Sequence, residues 1–175
     1  MSEKKNYPDW LKVKECRTVT TYDIDNRVNG FLVDLLNIND DLMKTRKNKQ
    51  FTQFYMSTMK KGDFKGLHMH PTKLDAYCCA FGRICMVIYP EVIEKTEIDT
   101  AVIDVNKFIY IEFGDGCYKT ISLPSKYPHG FFGITKDAVL INYRDPAWDP
   151  SDTHQFSMKS EEMLQVLRKR YLGKR

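Results

Sequence analysis

The sequence predicts one all-β domain, a sandwich or barrel of short antiparallel strands followed by a C-terminal helix. Three observations lead there. With 175 residues the chain can bury one sizeable core but not two. Five runs are rich in β-branched and aromatic residues: Phe51 to Met59, Ala76 to Tyr89, Ala101 to Phe113, Lys119 to Leu123 and Ala138 to Tyr143. Turn formers separate them, and many short strands with hairpin punctuation make a sandwich or barrel.

In chain order, Ile38-Asn39-Asp40-Asp41-Leu42 opens a short helix on an Asn or Asp cap. The strand runs follow, with turns at Lys61-Gly62-Asp63, Gly114-Asp115-Gly116 and Pro124-Ser125-Lys126, whose residues tolerate or impose unusual backbone angles. A stronger helix is expected around 160–172, opening at Ser160-Glu161-Glu162-Met163-Leu164. There Met163, Val166, Leu167 and Tyr171 recur near the helical period, with acids first and bases last, as the helix dipole favours. This helix is expected to pack on the outside of the barrel or on a partner chain. No internal repeat or linker interrupts the single domain, residues 1–175.

The composition excludes several functions. Hydrophobic residues make up 42% and charged residues 29%, and no stretch nears the roughly 18 apolar residues that cross a bilayer. MSEKKNYPDW carries no apolar run behind its lysines, so a cytoplasmic protein is expected. The five cysteines, without CxxC spacing, indicate free, mostly buried thiols and neither a disulfide framework nor a thiolate zinc cage. A net charge of +4 is too weak and too dispersed for a nucleic-acid binder but suits a phosphate-bearing small molecule.

The histidines are the informative residues. His68 and His70 stand one residue apart on a strand-like segment, so both rings point to one face, and Asp75 and His129 can join them from neighbouring strands. His154 lies in a polar stretch and is expected to be exposed. The spacing Gly62-x5-His68-x-His70-x4-Asp75-x6-Gly82 resembles the first signature of the cupin superfamily, and Pro124-x-Lys126-x-x-His129 the second. The resemblance implies a jelly-roll β-barrel with the histidines at its mouth. In metal-dependent cupins such a set holds a divalent ion, and His68, His70, Asp75 and His129 would be the ligands.

A narrower resemblance spans most of the chain. Asp25-Asn26-Arg27-Val28-Asn29-Gly30-Phe31, Phe51-Thr52-Gln53-Phe54-Tyr55-Met56-Ser57, Lys65-Gly66-Leu67-His68, Lys73-Leu74 and Pro128-His129-Gly130-Phe131 are similar, in order, to elements of the dTDP-4-dehydrorhamnose 3,5-epimerases. That family implies a homodimer that needs no cofactor and acts on a nucleotide-linked 4-keto sugar. His68 would be the base, with His129 and His70 beside it, and Lys73 would stabilise the enolate. Arg27, Phe31, Gln53, Tyr55, Lys65 and Trp148 would bind the substrate. The chain departs from the family at Ala147-Trp148-Asp149-Pro150, where the proton-donating tyrosine is missing and indole cannot replace it. Tyr143 or Tyr55 is the expected substitute, and Asp75, Asp152 or Glu161 the expected orienter of the base. Lys65-Gly66-Leu67-His68-Met69-His70 is also similar to the dTDP-sugar 3,4-ketoisomerases, whose motif has both histidines. In that reading His68 and His70 share the proton transfer.

Overall fold

The computed structural model describes residues 7–22, 24–37, 39–44, 53–97, 101–145, 147 and 149–173. Its strands are β1 (Lys12–Glu15), β2 (Thr18–Tyr22), β3 (Val28–Val33), β4 (Gln53–Lys60), β5 (Phe64–Met69), β6 (Leu74–Phe81), β7 (Arg83–Ile88), β8 (Ile109–Gly114), β9 (Lys119–Leu123), β10 (His129–Gly133), β11 (Asp137–Asp145) and β12 (His154–Gln155). Two helices, α1 (Asp41–Lys44) and α2 (Ser157–Leu172), complete the set. Among the described residues the strands form two five-stranded antiparallel sheets, β1-β9-β6-β11-β4 and β12-β5-β10-β7-β8, with β2 and β3 as a separate ribbon.

Alternation along the strands builds a core in two layers. On β7, Ile84, Met86 and Ile88 face inward and join Tyr77, Ile111, Phe113, Ile121, Leu123, Phe131 and Leu140 between the sheets. Their neighbours Cys85 and Val87 face outward and join Leu67, Met69, Phe132, Met163 and Leu167 under α2. The second sheet is therefore apolar on both faces, and α2 is its lid. Helix α2 begins at Ser157, before the expected Ser160, and the Ser160 hydroxyl serves as a tie instead of a cap. It donates to the Phe156 carbonyl at 2.9 Å and accepts from the Leu67 amide of β5.

Two of the expected strands are corrected. The run from Ala76 to Tyr89 is a hairpin broken at Gly82, whose φ is +71°; a Cβ there would meet the Asp137 carbonyl oxygen at 2.2 Å. The run from Ala101 to Phe113 is strand only from Ile109. Its first half is a loop with a 3₁₀ turn at Val105–Lys107 that Asp104 caps. Ile103 and Phe108 are buried in the outer core while Val102 is 86% exposed, so the alternation there serves loop packing and not pairing. Strands β1, β2 and β3 lie outside the expected runs: charge dominates β1, threonine dominates β2, and Asn29-Gly30 interrupts the apolar residues of β3. Phe51 and Thr52 lie outside the described residues; from Gln53 the expected strand is present.

Candidate active site

Strands β5 and β10 pair with His129 opposite His68. Strand parity sends Leu67 and Met69 under α2 and leaves His68 facing the barrel interior, and His70 follows at the end of β5. The three rings form a cluster, with centroids 4.5 Å apart for His68 and His129, 5.3 Å for His68 and His70, and 5.7 Å for His70 and His129. Opposite them, the register of the first sheet aligns Leu123, Asp75, Arg144 and Gln53 in one row, and Ile121, Tyr77, Asn142 and Tyr55 in the next. Polar residues are thus concentrated at one end of a barrel that is otherwise filled with hydrocarbon.

Hydrogen bonds divide the histidines into two that are held and one that is open. A carbonyl can only accept, so the 2.9 Å bond to Tyr127 O puts the proton of His129 on Nδ1, and Nε2 accepts from the Tyr77 hydroxyl at 3.0 Å. By the same reasoning His70 donates Nδ1–H to Asp152 O at 2.8 Å, with the Thr153 hydroxyl at 3.3 Å, and its Nε2 accepts from Arg144 Nη2 at 2.9 Å. Arg144 in turn grips Asp75, Nε to Oδ1 at 2.7 Å and Nη2 to Oδ2 at 3.4 Å. His68 is partly open to the interior, and among the described residues no hydrogen bond reaches its ring nitrogens. Burial, reinforced by His70 and Arg144, pushes its pKa down to about 3. Burial also lowers His70, against the pull of Asp75, and lowers His129 well below the usual imidazole value, so all three rings are neutral at pH 7.

Several expected residues meet here and others do not. Gln53 and Tyr55 lie in the rows facing the histidines, and the Tyr55 hydroxyl accepts from Asn142 Nδ2 at 3.0 Å. Lys73 is buried, with Nζ donating to Asp149 O at 3.2 Å and lying 3.7 Å from Asp152 Oδ2. Lys65 is exposed on β5, opposite Phe131. Tyr143 belongs to the other face of β11: its ring lies 4.9 Å from Phe54, and burial, together with Cys78, raises its phenol to about 12. It therefore does not face the cluster. Arg27, with its side chain 77% exposed, pairs with Asp25 at 3.5 Å, and Phe31 lies on the exposed β2–β3 ribbon, so neither reaches the histidines of its own chain. Trp148 lies outside the described residues. None of the expected orienters bonds His68: Asp75 is held by Arg144, Asp152 holds His70 through its carbonyl, and Glu161 is exposed on α2. His154 is partly buried on β12 rather than exposed.

Arg144, Tyr77 and Asn142 carried no expectation. The burial pattern of β11 puts Asn142 and Arg144 on the inward face with Ala138 and Leu140.

The three imidazoles lie close enough to share an ion, with donor atoms within 4.8 Å of one another. The donors are nevertheless committed: Nε2 of His129 to Tyr77, Nε2 of His70 and both oxygens of Asp75 to Arg144. The residues present do not fit a divalent metal.

No protein-family model and no curated protein matches the chain. Solved structures do. A dTDP sugar isomerase from Desulfovibrio desulfuricans is 15% identical over 84% of this chain and 83% of its own, with a TM-score of 0.64. The dTDP-4-dehydrorhamnose 3,5-epimerase from Elizabethkingia anophelis is 17% identical over 86% and 77%, also at 0.64. A sugar 3,4-ketoisomerase from Thermoanaerobacterium thermosaccharolyticum in complex with TDP is 14% identical over 90% and 97%, at 0.55. The chain has the jelly-roll fold of these proteins, as its sequence motifs predict.

Proposed function

We propose that this protein epimerises a nucleotide-linked 4-keto sugar at carbon 3, carbon 5 or both, through an enolate. The observation that carries the reading is the one open imidazole of the three: among the described residues no hydrogen bond reaches the ring of His68, which is neutral and partly open to the interior, beside two histidines that hydrogen bonds hold in fixed tautomers. His68 takes the proton next to the keto group. The charge that develops on the enolate oxygen is favoured by Lys73, a buried cation at this end of the barrel. Tyr55, facing the interior from β4 across from β5, returns a proton to the opposite face, the role for which Tyr143 is turned the wrong way. Lys65 at the rim suits the diphosphate of a nucleotide such as the TDP held by one structural neighbour.

The ketoisomerase reading needs His70 as a second shuttle, and both of its nitrogens are occupied. We further propose a cytoplasmic homodimer. The β2–β3 ribbon exposes Val19, Tyr22, Val28, Phe31 and Leu32, and the edge strand β4 exposes Phe54 and Met56. A second copy would cover this apolar surface and the β4 edge together, and would bring Arg27 and Phe31 to the partner's site.

The test is proton NMR in deuterated water with nucleotide-linked 4-keto-6-deoxy sugars. Deuterium entering carbon 3 or carbon 5, unaffected by chelator and lost in His68→Asn, is the expected result. Absence of exchange with every substrate would reject the enzyme reading and leave a non-catalytic binder.

A further inference from the structure

We propose that the Arg144 guanidinium is a built-in cation standing where a His–His–carboxylate–His set would otherwise hold a metal ion, and that it keeps this site metal-free. Arg144 is 3% exposed, and a buried guanidinium requires anionic and acceptor partners. It finds both among the residues a divalent ion would recruit: the Asp75 carboxylate at 2.7 and 3.4 Å and the lone pair of His70 Nε2 at 2.9 Å. His70 Nε2 and Asp75 Oδ2 are themselves 4.0 Å apart, so one small cation between them could contact both, and the guanidinium does. The Asp152 carbonyl fixes the other nitrogen of His70, turning its lone pair toward Arg144. The Tyr55 ring, 5.5 Å from the guanidinium, stands on a further side of the arginine.

Two consequences follow. A divalent ion entering the three-histidine cluster would lie within a few ångströms of a fixed positive charge in a region of low dielectric, where repulsion is strong. His70, held as an acceptor, contributes no proton transfer, and His68 remains the open ring. Arg144 acts through these neighbours and is a positioning residue. The inference rests on the cluster's own geometry and stands apart from the sugar reading.

The experiment is cobalt(II) titration of the full-length protein, followed by ligand-field absorption and by competition with a chelating dye. Wild type is expected to take up no stoichiometric cobalt. Arg144→Ala, shown to be folded by circular dichroism, is expected to bind one equivalent roughly 100-fold more tightly or better, with bands that vanish when His129→Gln is added. Arg144→Lys, which keeps the charge, is expected to exclude cobalt as wild type does. One-equivalent binding by wild type that is lost with His129→Gln would overturn the proposal, as would a folded Arg144→Ala with no gain in affinity. If Arg144→Ala does not fold, Arg144→Gln, which retains a donor toward Asp75, carries the same comparison. A merely structural arginine would change stability in these variants and leave metal affinity unmoved.

Discussion

His68 is the proposed base because, among the described residues, no hydrogen bond occupies its ring nitrogens. Replacing it with asparagine keeps a polar side chain of similar reach but removes the base, so carbon-bound proton exchange should fall about 1,000-fold, with little change in the urea midpoint. Near-normal exchange would reject the mechanism. His70→Asn should behave in the opposite way. It loosens the Arg144 and Asp152 contacts and should cost about 1–3 kcal/mol of stability, while exchange persists. The acid response follows from the depressed pKa values. An unfolded histidine titrates near 6.5, whereas folded His68 does so at about 3, so in that interval the unfolded chain binds more protons. Stability should be fully present above pH 6.5 and decline as pH falls toward 3, and urea titrations at pH 7.5 and pH 5 would measure the loss. His68→Asn should flatten that decline. Parity was readable for His68 and His70 because polar rings alternate there with Leu67 and Met69. On β11 it was not, because Val139 and Ile141 are as apolar as Ala138 and Leu140, so Tyr143 and Arg144 could not be assigned to a face.

At the scale of elements, α2 is attached by Met163 and Leu167, both fully buried against β5, β7 and β10. Leu167→Ala should cost about 2–5 kcal/mol, seen as a lower denaturant midpoint, with exchange activity unaltered below the transition, since the helix packs on the sheet face opposite the histidines. Gly82→Ala should destabilise the β6–β7 hairpin at least as clearly, because the new methyl would collide with backbone. The helix was legible from its 3.6-residue apolar recurrence. The loop from Ala101 to Phe108 was mistaken for strand because an alternating pattern records which side chains are buried, not whether the backbone has a pairing partner.

For the whole molecule, the exposed apolar ribbon and β4 edge make self-association the testable property. Leu32→Asp with Met56→Asp should convert a dimer to a monomer in sedimentation velocity experiments without loss of fold by circular dichroism. A monomeric wild type would remove the dimer and, with it, the assignment of Arg27 and Phe31 to a partner's site.

What the sequence by itself determined is the jelly-roll class, its terminal helix and the meeting of His68, His70 and His129, because period-two alternation and ordered motifs are local properties of the chain. What only the tertiary structure decided is the division of labour inside the cluster. Arg144, Tyr77 and the Asp152 carbonyl reach the histidines from 52 to 82 positions away in the chain. Each ring's tautomer, charge and freedom are therefore set by partners that strand register brings together, and no spacing along the chain records that register.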